Sequence, residues 1–161
     1  EWAVRARRLR TAAPTILPTR KAAGVHRTSI DDAAVRAEVA AAFEAYEAAL
    51  MANDVERLDA WFWDDPRAAR LAPGDSRYGQ AAIAAFRASR AVGDVARVLE
   101  RVQITTFGLD CAVALAEYRR IGSGRRGQQS QTWVRFAEGW RIVAAHVSLE
   151  PATPARRTEG S

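Results

Sequence analysis

The chain has 161 residues, the size of one ordinary domain with a core of its own. Its formal net charge of +5 comes from residues 1–30, where seven Arg and Lys side chains stand against one Glu; residues 31–150 hold 15 basic and 17 acidic side chains. Because the folded part shows no basic and aromatic surface, nucleic-acid binding is not expected. No apolar run approaches the roughly 18 residues of a spanning helix, so no membrane contact is expected either.

Residues 1–28 combine arginines, small residues and prolines with almost no large apolar side chains. Such a segment cannot bury enough surface to fold, so we predict a disordered basic arm, a folded domain at residues 29–150 and a disordered tail at residues 151–161. The arm also fits an organellar transit peptide or the remnant of an upstream start. The predominance of Ala and Arg over the single lysine, Lys21, is typical of a high-GC bacterial coding bias and disfavours the transit peptide.

Cys111 is the single cysteine of the chain. One thiol forms no disulfide framework, so a reducing, cytoplasmic location is expected, with Cys111 packed in a strand. No His or Cys stands at the spacing that metal ligands need. The Gly122-Ser123-Gly124 segment precedes no helix and therefore predicts a hairpin loop rather than a phosphate site. The sequence thus predicts neither a metal nor a cofactor.

The longest predicted helix begins after Ser29 or Asp31, either of which can cap its start. Its apolar residues recur every three or four positions and form one stripe facing a core; they are Val35, Val39, Phe43, Tyr46 and Leu50. Two further helices are predicted over residues 55–63 and 78–90.

Five β-type runs are predicted, at residues 67–71, 98–107, 111–121, 129–136 and 140–149. Short links join the last four runs, and links of this length connect antiparallel neighbours. Helices first and an antiparallel meander after them indicate an α+β fold.

The last predicted strand bears on assembly. Both alternating sets of residues 140–149 are largely apolar, whereas a sheet wetted on one face would show a polar residue at every second position. Both faces of the sheet are therefore expected to be covered, one by helices and the other by a second subunit. The expected assembly is a homodimer through the sheet face.

Four segments carry a family resemblance: residues 42–50 (AFEAYEAAL), 62–67 (FWDDPR), 129–136 (QSQTWVRF) and 139–148 (GWRIVAAHVS). They resemble the SnoaL-like branch of the nuclear-transport-factor-2-like superfamily, and more narrowly its AtzH-like subfamily. The resemblance implies a cone-shaped α+β barrel, with a curved antiparallel sheet wrapped around N-terminal helices and an internal pocket. The subfamily is named for a small amidohydrolase that removes a carboxyl-bearing group from dicarboxyurea, which implies similar chemistry.

Tyr46 and Arg70 stand 24 residues apart. In the ketosteroid isomerases of the same superfamily, which the chain also resembles, these places hold an oxyanion-binding Tyr and a catalytic Asp. An arginine cannot act as a base at neutral pH, but it holds a carboxylate through two parallel hydrogen bonds. The resemblance thus implies Arg70 as a carboxylate anchor and Tyr46 as a donor to a carbonyl or leaving nitrogen. Without the resemblance, Tyr46 is explained equally well as a core residue, and Arg70 is explained as a solvated surface arginine.

Further candidates each have a structural alternative. Gln131 and Trp133 share a strand face that suits a small planar ligand, or they form an ordinary cross-strand pair. His146 and Ser148 share a face of the last strand, as a general base and a hydroxyl would, but no Asp follows to orient the ring. A structural histidine or a subunit contact is the alternative. The remaining candidate pocket walls are Phe62 and Trp63.

Two classes of function follow. The first is a cofactor-independent hydrolase of a small carboxylated urea or amide, in which Gln131 positions the substrate or a water molecule. The second is a binding or accessory protein of the same fold without turnover. The enzyme class lacks a base that the sequence places in the pocket, so either His146 or the substrate itself has to supply one.

Overall fold

The computed structural model describes residues 28–90 and 93–151. Three helices and six strands follow in the order α1 (Ala33–Met51), α2 (Val55–Ala60), β1 (Ala69–Leu71), β2 (Arg77–Tyr78), α3 (Gln80–Ser89), β3 (Arg97–Phe107), β4 (Cys111–Arg120), β5 (Arg126–Phe136) and β6 (Gly139–Leu149). The α+β class is therefore confirmed. The predictions for the N-terminal arm up to residue 27 and for the tail from residue 152 lie outside the described residues.

The six strands form one sheet in the order β2-β1-β6-β5-β4-β3. Strands β3 to β6 make the predicted antiparallel meander. Two features differ from the expectation. The sheet is curved but unclosed, because β2 and β3 remain its two edges, so it is not a closed barrel. Strand β1 pairs in parallel with β6, since no short hairpin link fixes the relative direction of two strands so far apart in the chain.

The N-cap of helix α1 is Asp32, one residue after the predicted cap Asp31 and three residues after the alternative, Ser29. The carboxylate of Asp32 accepts hydrogen bonds from the backbone N–H groups of Ala34 and Val35 at 3.0 and 3.1 Å, which is the usual N-cap arrangement. Asp31 instead accepts a hydrogen bond from the backbone N–H of Thr106 at 3.0 Å and so ties the start of the helix to β3.

The helices cover one side of the sheet, which we call the inner face; the opposite side is the outer face. The predicted stripe of α1 is buried there together with residues of α2 and α3. The inner face of the sheet contributes small side chains from β4 and larger ones from β5 and β6, namely Ala112, Ala114, Ala116, Trp133, Ile142 and Ala145. Among the described residues, no helix combines the length and hydrophobicity that crossing a membrane requires.

A β-bulge in β6 reverses which of its residues face inward. Trp133 pairs with Ile142 but Thr132 pairs with Ala144, so Val143 is an extra residue without a partner on β5. Because side chains alternate along a strand, one inserted residue exchanges the two faces beyond it. Trp140 and Ile142 before the bulge are buried on the inner face, and so is Ala145 after it.

Candidate functional site

Tyr46 lies on the inner face of the fold, as its place on the helical stripe predicts. Its ring meets that of Trp133 edge to face, with centroids 6.4 Å apart, and Trp61 approaches the same indole at 5.9 Å. Tyr46 is 7 % exposed. None of the side-chain hydrogen bonds found within residues 28–90 and 93–151 engages its hydroxyl, so the phenol is a donor with no partner there.

Arg70 reaches the same region from β1. Burial lowers the pKa of its guanidinium, and the charge of Arg87 adds to this, while the Tyr46 hydroxyl and Asp75 oppose it. The Nη1 atom is buried and makes no hydrogen bond; its distance of 3.6 Å to Asp75 is an ion-pair distance and too long for one. Tyr46 and Arg70 thus lie on the same side of the sheet, near enough for Tyr46 to influence the Arg70 pKa, and the buried Nη1 of Arg70 has an ion-pair partner in Asp75 but no hydrogen bond.

A second arginine adds positive charge beside the first. Arg90 donates to the side chain of Asn53 at 3.0 Å, but its Nε is buried without an acceptor. Burial lowers the pKa of Arg90, and the neighbouring charges of Arg87 and Arg70 lower it further. Since arginine stays protonated despite such shifts, these charges make the region electropositive and favour an anionic ligand.

Two glutamines of β5 complete the cluster. Gln129 and Gln131 lie on the inner face at 5 % and 1 % exposure. The indole N–H of Trp133 donates to Gln131 Oε1 at 3.2 Å, and Arg97 Nη1 donates to Gln129 Oε1 at 2.8 Å. The Nε2 atom of each glutamine is buried without a partner. We call Arg70, Arg90, Gln129 and Gln131, with their four unpartnered nitrogen atoms, the donor cluster.

Unpartnered burial is what makes the donor cluster unusual. A buried donor without an acceptor costs about 1–3 kcal/mol, and buried polar atoms in folded proteins almost always have partners. All four orphaned atoms are donors, two of them on charged groups. Thr106, Arg120 and Arg135 also carry buried side-chain atoms without a hydrogen bond, but the donor cluster combines two amide N–H groups with two charged guanidinium groups, which is the chemistry that suits an oxygen-rich anion.

An ion pair supports the sheet side of the cluster. Arg97 donates two hydrogen bonds to the Glu47 carboxylate, through Nε at 2.9 Å and through Nη2, and its guanidinium stacks on the ring of Tyr118 at 4.4 Å. Burial is the largest single influence on the pKa of Arg97 and would lower it, but the hydrogen bonds to Glu47, the charge of that carboxylate and smaller contributions from Tyr46 and Tyr118 together raise that pKa. Arg97 is therefore held rigidly as the donor that orients Gln129.

The carboxylates around the cluster are engaged by arginines. Asp75 forms an ion pair with Arg77 at 2.6 Å, and Asp59 accepts a hydrogen bond from Arg87 at 2.5 Å. Both carboxylates are therefore occupied by a basic partner. No set of three or more His, Cys, Asp or Glu side chains suited to a metal ion is found within the described residues.

The two predicted wall residues are placed differently. Phe62 is buried at 3 % exposure, and the guanidinium of Arg87 lies 4.5 Å above its ring. Trp63 stacks on Phe136, 5.4 Å away, at the C-terminal end of β5. It is Trp61, not singled out from the sequence, that packs against the indole beside the cluster.

His146 and Ser148 lie on the outer face, away from the cluster. In the register of β5 and β6, His146 is opposite Ser130 and Ser148 is opposite Gln128, whereas Gln131 is opposite Ala145. His146 therefore cannot serve as a base for a ligand at the inner face. It lines a shallow depression of about 470 Å³ on the outer face, together with Arg101, Gln103, Leu115, Glu117 and Ser148.

Sequence reasoning missed three contributors to the site. Gln129 precedes the predicted Gln131 by two positions, and the alternation of a strand was a sufficient signal for it. Arg90 ends the third predicted helix and Arg97 begins β3. In the sequence, both residues stand at the boundary of an element. Only their burial in the folded structure therefore identifies them as part of the site.

The fold defines the class. A protein of the nuclear-transport-factor-2-like superfamily from Salmonella enterica serovar Typhimurium is 25 % identical to this chain, covers 80 % of it and 98 % of its own length, and has a TM-score of 0.59. A cystatin-like fold protein from Burkholderia xenovorans is 40 % identical over 79 % of this chain and 99 % of its own, with a TM-score of 0.73. The chain thus has the nuclear-transport-factor-2-like, cystatin-like fold.

The family is narrower than the fold. The AtzH-like family profile matches residues 28–152. A protein of unknown function from Pectobacterium atrosepticum, of the DUF3225 family, is 49 % identical over 76 % of this chain and 95 % of its own, with a TM-score of 0.73. The chain belongs to the AtzH-like family, as its sequence resemblance predicts. No curated protein matches it.

Proposed function

We propose that this protein binds a small carboxylated urea or amide at the donor cluster and cleaves the C–N bond that joins a carboxyl-bearing group to the rest of the molecule, without a cofactor. The observation that carries the proposal is the buried Nη1 of Arg70, which makes no hydrogen bond, on the same side of the sheet as the Tyr46 hydroxyl, which has no hydrogen-bond partner among the described residues. A planar guanidinium matches a carboxylate through two parallel hydrogen bonds. Arg70 is therefore the anchor of the substrate carboxylate.

Tyr46 acts as the proton donor in this proposal. When a carboxyl group leaves a urea nitrogen as CO₂, the electron pair of the N–C bond stays on nitrogen, which takes a proton, and solvent then reprotonates the phenolate. Subsequent hydration of CO₂ to bicarbonate makes the overall change a hydrolysis. This route needs a donor at the leaving nitrogen and no base that activates water. It fits a site whose neighbouring carboxylates are paired with arginines.

The test compares matched variants in a turnover assay with carboxylated ureas and amides, following release of bicarbonate and the shortened product. Tyr46→Phe is expected to lower kcat by roughly 10² to 10³, the usual effect of losing one transition-state donor. Arg70→Lys is expected to raise KM, because a point charge cannot reproduce the two-bond contact. The controls are Tyr78→Phe and Arg57→Lys, since both residues are exposed at the surface.

Activity of the Tyr46 and Arg70 variants equal to that of the controls would refute this assignment. The second candidate function is a binding or accessory protein, favoured by the paired state of the nearby carboxylates. Stabilisation of the protein by the same compounds without turnover would select it, since any ligand bound to the native state raises its melting temperature.

We further propose that the protein forms a homodimer through the outer face. The last strand does not support this dimer in the way that the sequence predicts. Its outward-facing residues are not all apolar, because the bulge turns His146 and Ser148 outward. The support comes from β3 and β4, where Leu115 and Phe107 are 43 % and 40 % exposed and where Arg101 pairs in register with Glu117. Apolar patches rimmed by paired charges are typical of protein interfaces.

A further inference from the structure

The glutamine pair of β5 lies in surroundings that offer no acceptor side chain across the sheet. Gln131 is paired in register with Ala114 of β4 and Ala145 of β6, and Gln129 with Ala116 and Val147. All four neighbours carry only aliphatic side chains. At residues 129 and 131, the wall that β5 presents to the helices therefore consists of two amide groups set among aliphatic side chains, with the indole of Trp133 next to them.

The orientation of each amide follows from its partner. An indole N–H and a guanidinium N–H can only donate, so the atom of each glutamine that receives them has to be the carbonyl oxygen. Trp133 fixes Gln131 in this way, and Arg97 fixes Gln129. The NH₂ group of each amide is consequently the free end, and neither can rotate into an acceptor without orphaning the residue that holds it.

We propose that Gln129 and Gln131 are specificity-determining residues that select a ligand by the oxygen atoms it presents to the sheet, and that reject an N–H group in the same place. The ligand class is a small acid with carboxylate or carbonyl oxygens on the side away from Arg70. This inference deepens the proposed function, because it concerns the same site. A ligand N–H group at this place would face the NH₂ groups of Gln129 and Gln131, which are also donors. It would therefore be buried without a hydrogen-bond acceptor, which is unfavourable.

Replacement by glutamate converts each donor into an acceptor of the same shape. Gln131→Glu keeps the acceptor for the Trp133 indole and places a carboxylate where the ligand oxygen would lie. The affinity of this variant for an anionic ligand is expected to fall, because the acceptor site is filled from within.

The first measurement is calorimetric titration with malonate, a stable acid that carries oxygen acceptors and no N–H. Wild type is expected to bind it, and Gln131→Glu and Gln129→Glu are expected to bind at least about tenfold more weakly, the equivalent of one lost hydrogen bond. The matched control is Gln128→Glu, the same change one position along β5 on the outer face, expected to bind within threefold of wild type. Failure of wild type to bind malonate, or equal affinity of all three variants, overturns the proposal.

The second measurement separates oxygen from N–H at equal charge. Monomethyl malonate and malonamate each carry one carboxylate, but only malonamate has an NH₂ group. Wild type is expected to bind the ester at least tenfold more tightly, and Gln131→Glu is expected to narrow or reverse this ratio. Equal binding by wild type overturns the inference. Both titrations are independent of turnover, so a failure of the Tyr46 and Arg70 assay would leave this result standing, and the reverse also holds.

Discussion

The two faces of the sheet differ in how their polar side chains find hydrogen-bond partners. On the outer face, polar residues such as Gln103, Gln128 and His146 remain exposed to water, which satisfies them without protein partners. On the inner face, Gln129 and Gln131 are buried and each leaves one amide nitrogen without a partner. Neighbouring positions of one strand thus differ only in the side to which they point.

This difference identifies the site better than residue type does. Residues 128–132 of β5 are all polar, so residue type does not distinguish Gln128 from Gln129. Burial without a hydrogen-bond partner does distinguish the two glutamines, because a buried amide nitrogen cannot hydrogen-bond to water instead. A conventional core would fill these positions with apolar residues, as β4 does with its alanines. The unpartnered amides of the inner face therefore lower the stability of the ligand-free protein, and a ligand that accepts hydrogen bonds from them would raise it.

The largest expected effect tests the buried ion pair of the inner face. Glu47→Gln leaves the guanidinium of Arg97 buried without its anion, and breaking a buried pair in this way is expected to lower the free energy of unfolding by about 3–5 kcal/mol. The measurement is urea unfolding followed by circular dichroism. The matched change is Glu100→Gln, because Glu100 bridges Arg119 and Arg126, which are 56 % and 63 % exposed.

Glu100→Gln is expected to cost at most about 1 kcal/mol, since exposed pairs contribute little. Similar losses for the two variants would mean that the Glu47–Arg97 pair is not the support of the inner face that its burial indicates.

A smaller effect is expected where an aromatic ring covers a glycine. A Cβ added at Gly127 would lie 2.5 Å from the ring of Tyr118 and 2.6 Å from the backbone oxygen of Ser148. Gly127→Ala is expected to destabilise the protein by about 1–3 kcal/mol, the usual cost of overpacking. The neighbouring outer-face change Gln128→Ala is expected to stay within about 0.5 kcal/mol of wild type. A neutral Gly127→Ala would show that both the Tyr118 ring and the backbone at Ser148 move aside freely.

The sequence predicts the fold closely, because its signals are local. The stripe of α1, the hairpin links and the strand alternation each follow from short-range periodicity, and all appear in the structure. Strand β2, which pairs only with β1, was missed because two exposed residues leave no pattern. The parallel pairing of β1 was missed because it depends on a distant partner.

The candidate site was predicted only in part, and one residue explains most of the difference. Regular alternation would put His146 and Ser148 on the face of Trp140 and Ile142. The extra residue Val143 shifts both to the outer face, and nothing in the local sequence announces a bulge. Tyr46, Arg70 and Gln131 all lie on the inner face, because a helix stripe, a short strand and a regular part of β5 place them there. The partner of each buried arginine depends on tertiary packing.

A substitution on the outer face tests the proposed dimer. Leu115→Arg would place a charge on the exposed apolar patch of β4 and is expected to weaken self-association by at least tenfold. Sedimentation velocity at micromolar concentration measures this change directly. Wild type that remains monomeric would refute the dimer, and a Leu115→Arg variant that remains dimeric would place the contact elsewhere.

The smallest effect is expected at a surface ion pair, which completes the comparison with the buried one. The side chain of Arg67 donates to the Asp65 carboxylate at 2.7 and 2.9 Å and lowers its pKa from 3.8 to about 2. A depressed carboxyl pKa stabilises the folded state above the unfolded value and loses that contribution as pH falls through the folded value. Asp65→Asn is therefore expected to be slightly less stable than wild type above pH 4, with a difference that disappears between about pH 4 and pH 2 and shrinks in 1 M salt. Urea unfolding of both proteins across this range measures it, and a difference that grows toward acid would contradict the assigned pair.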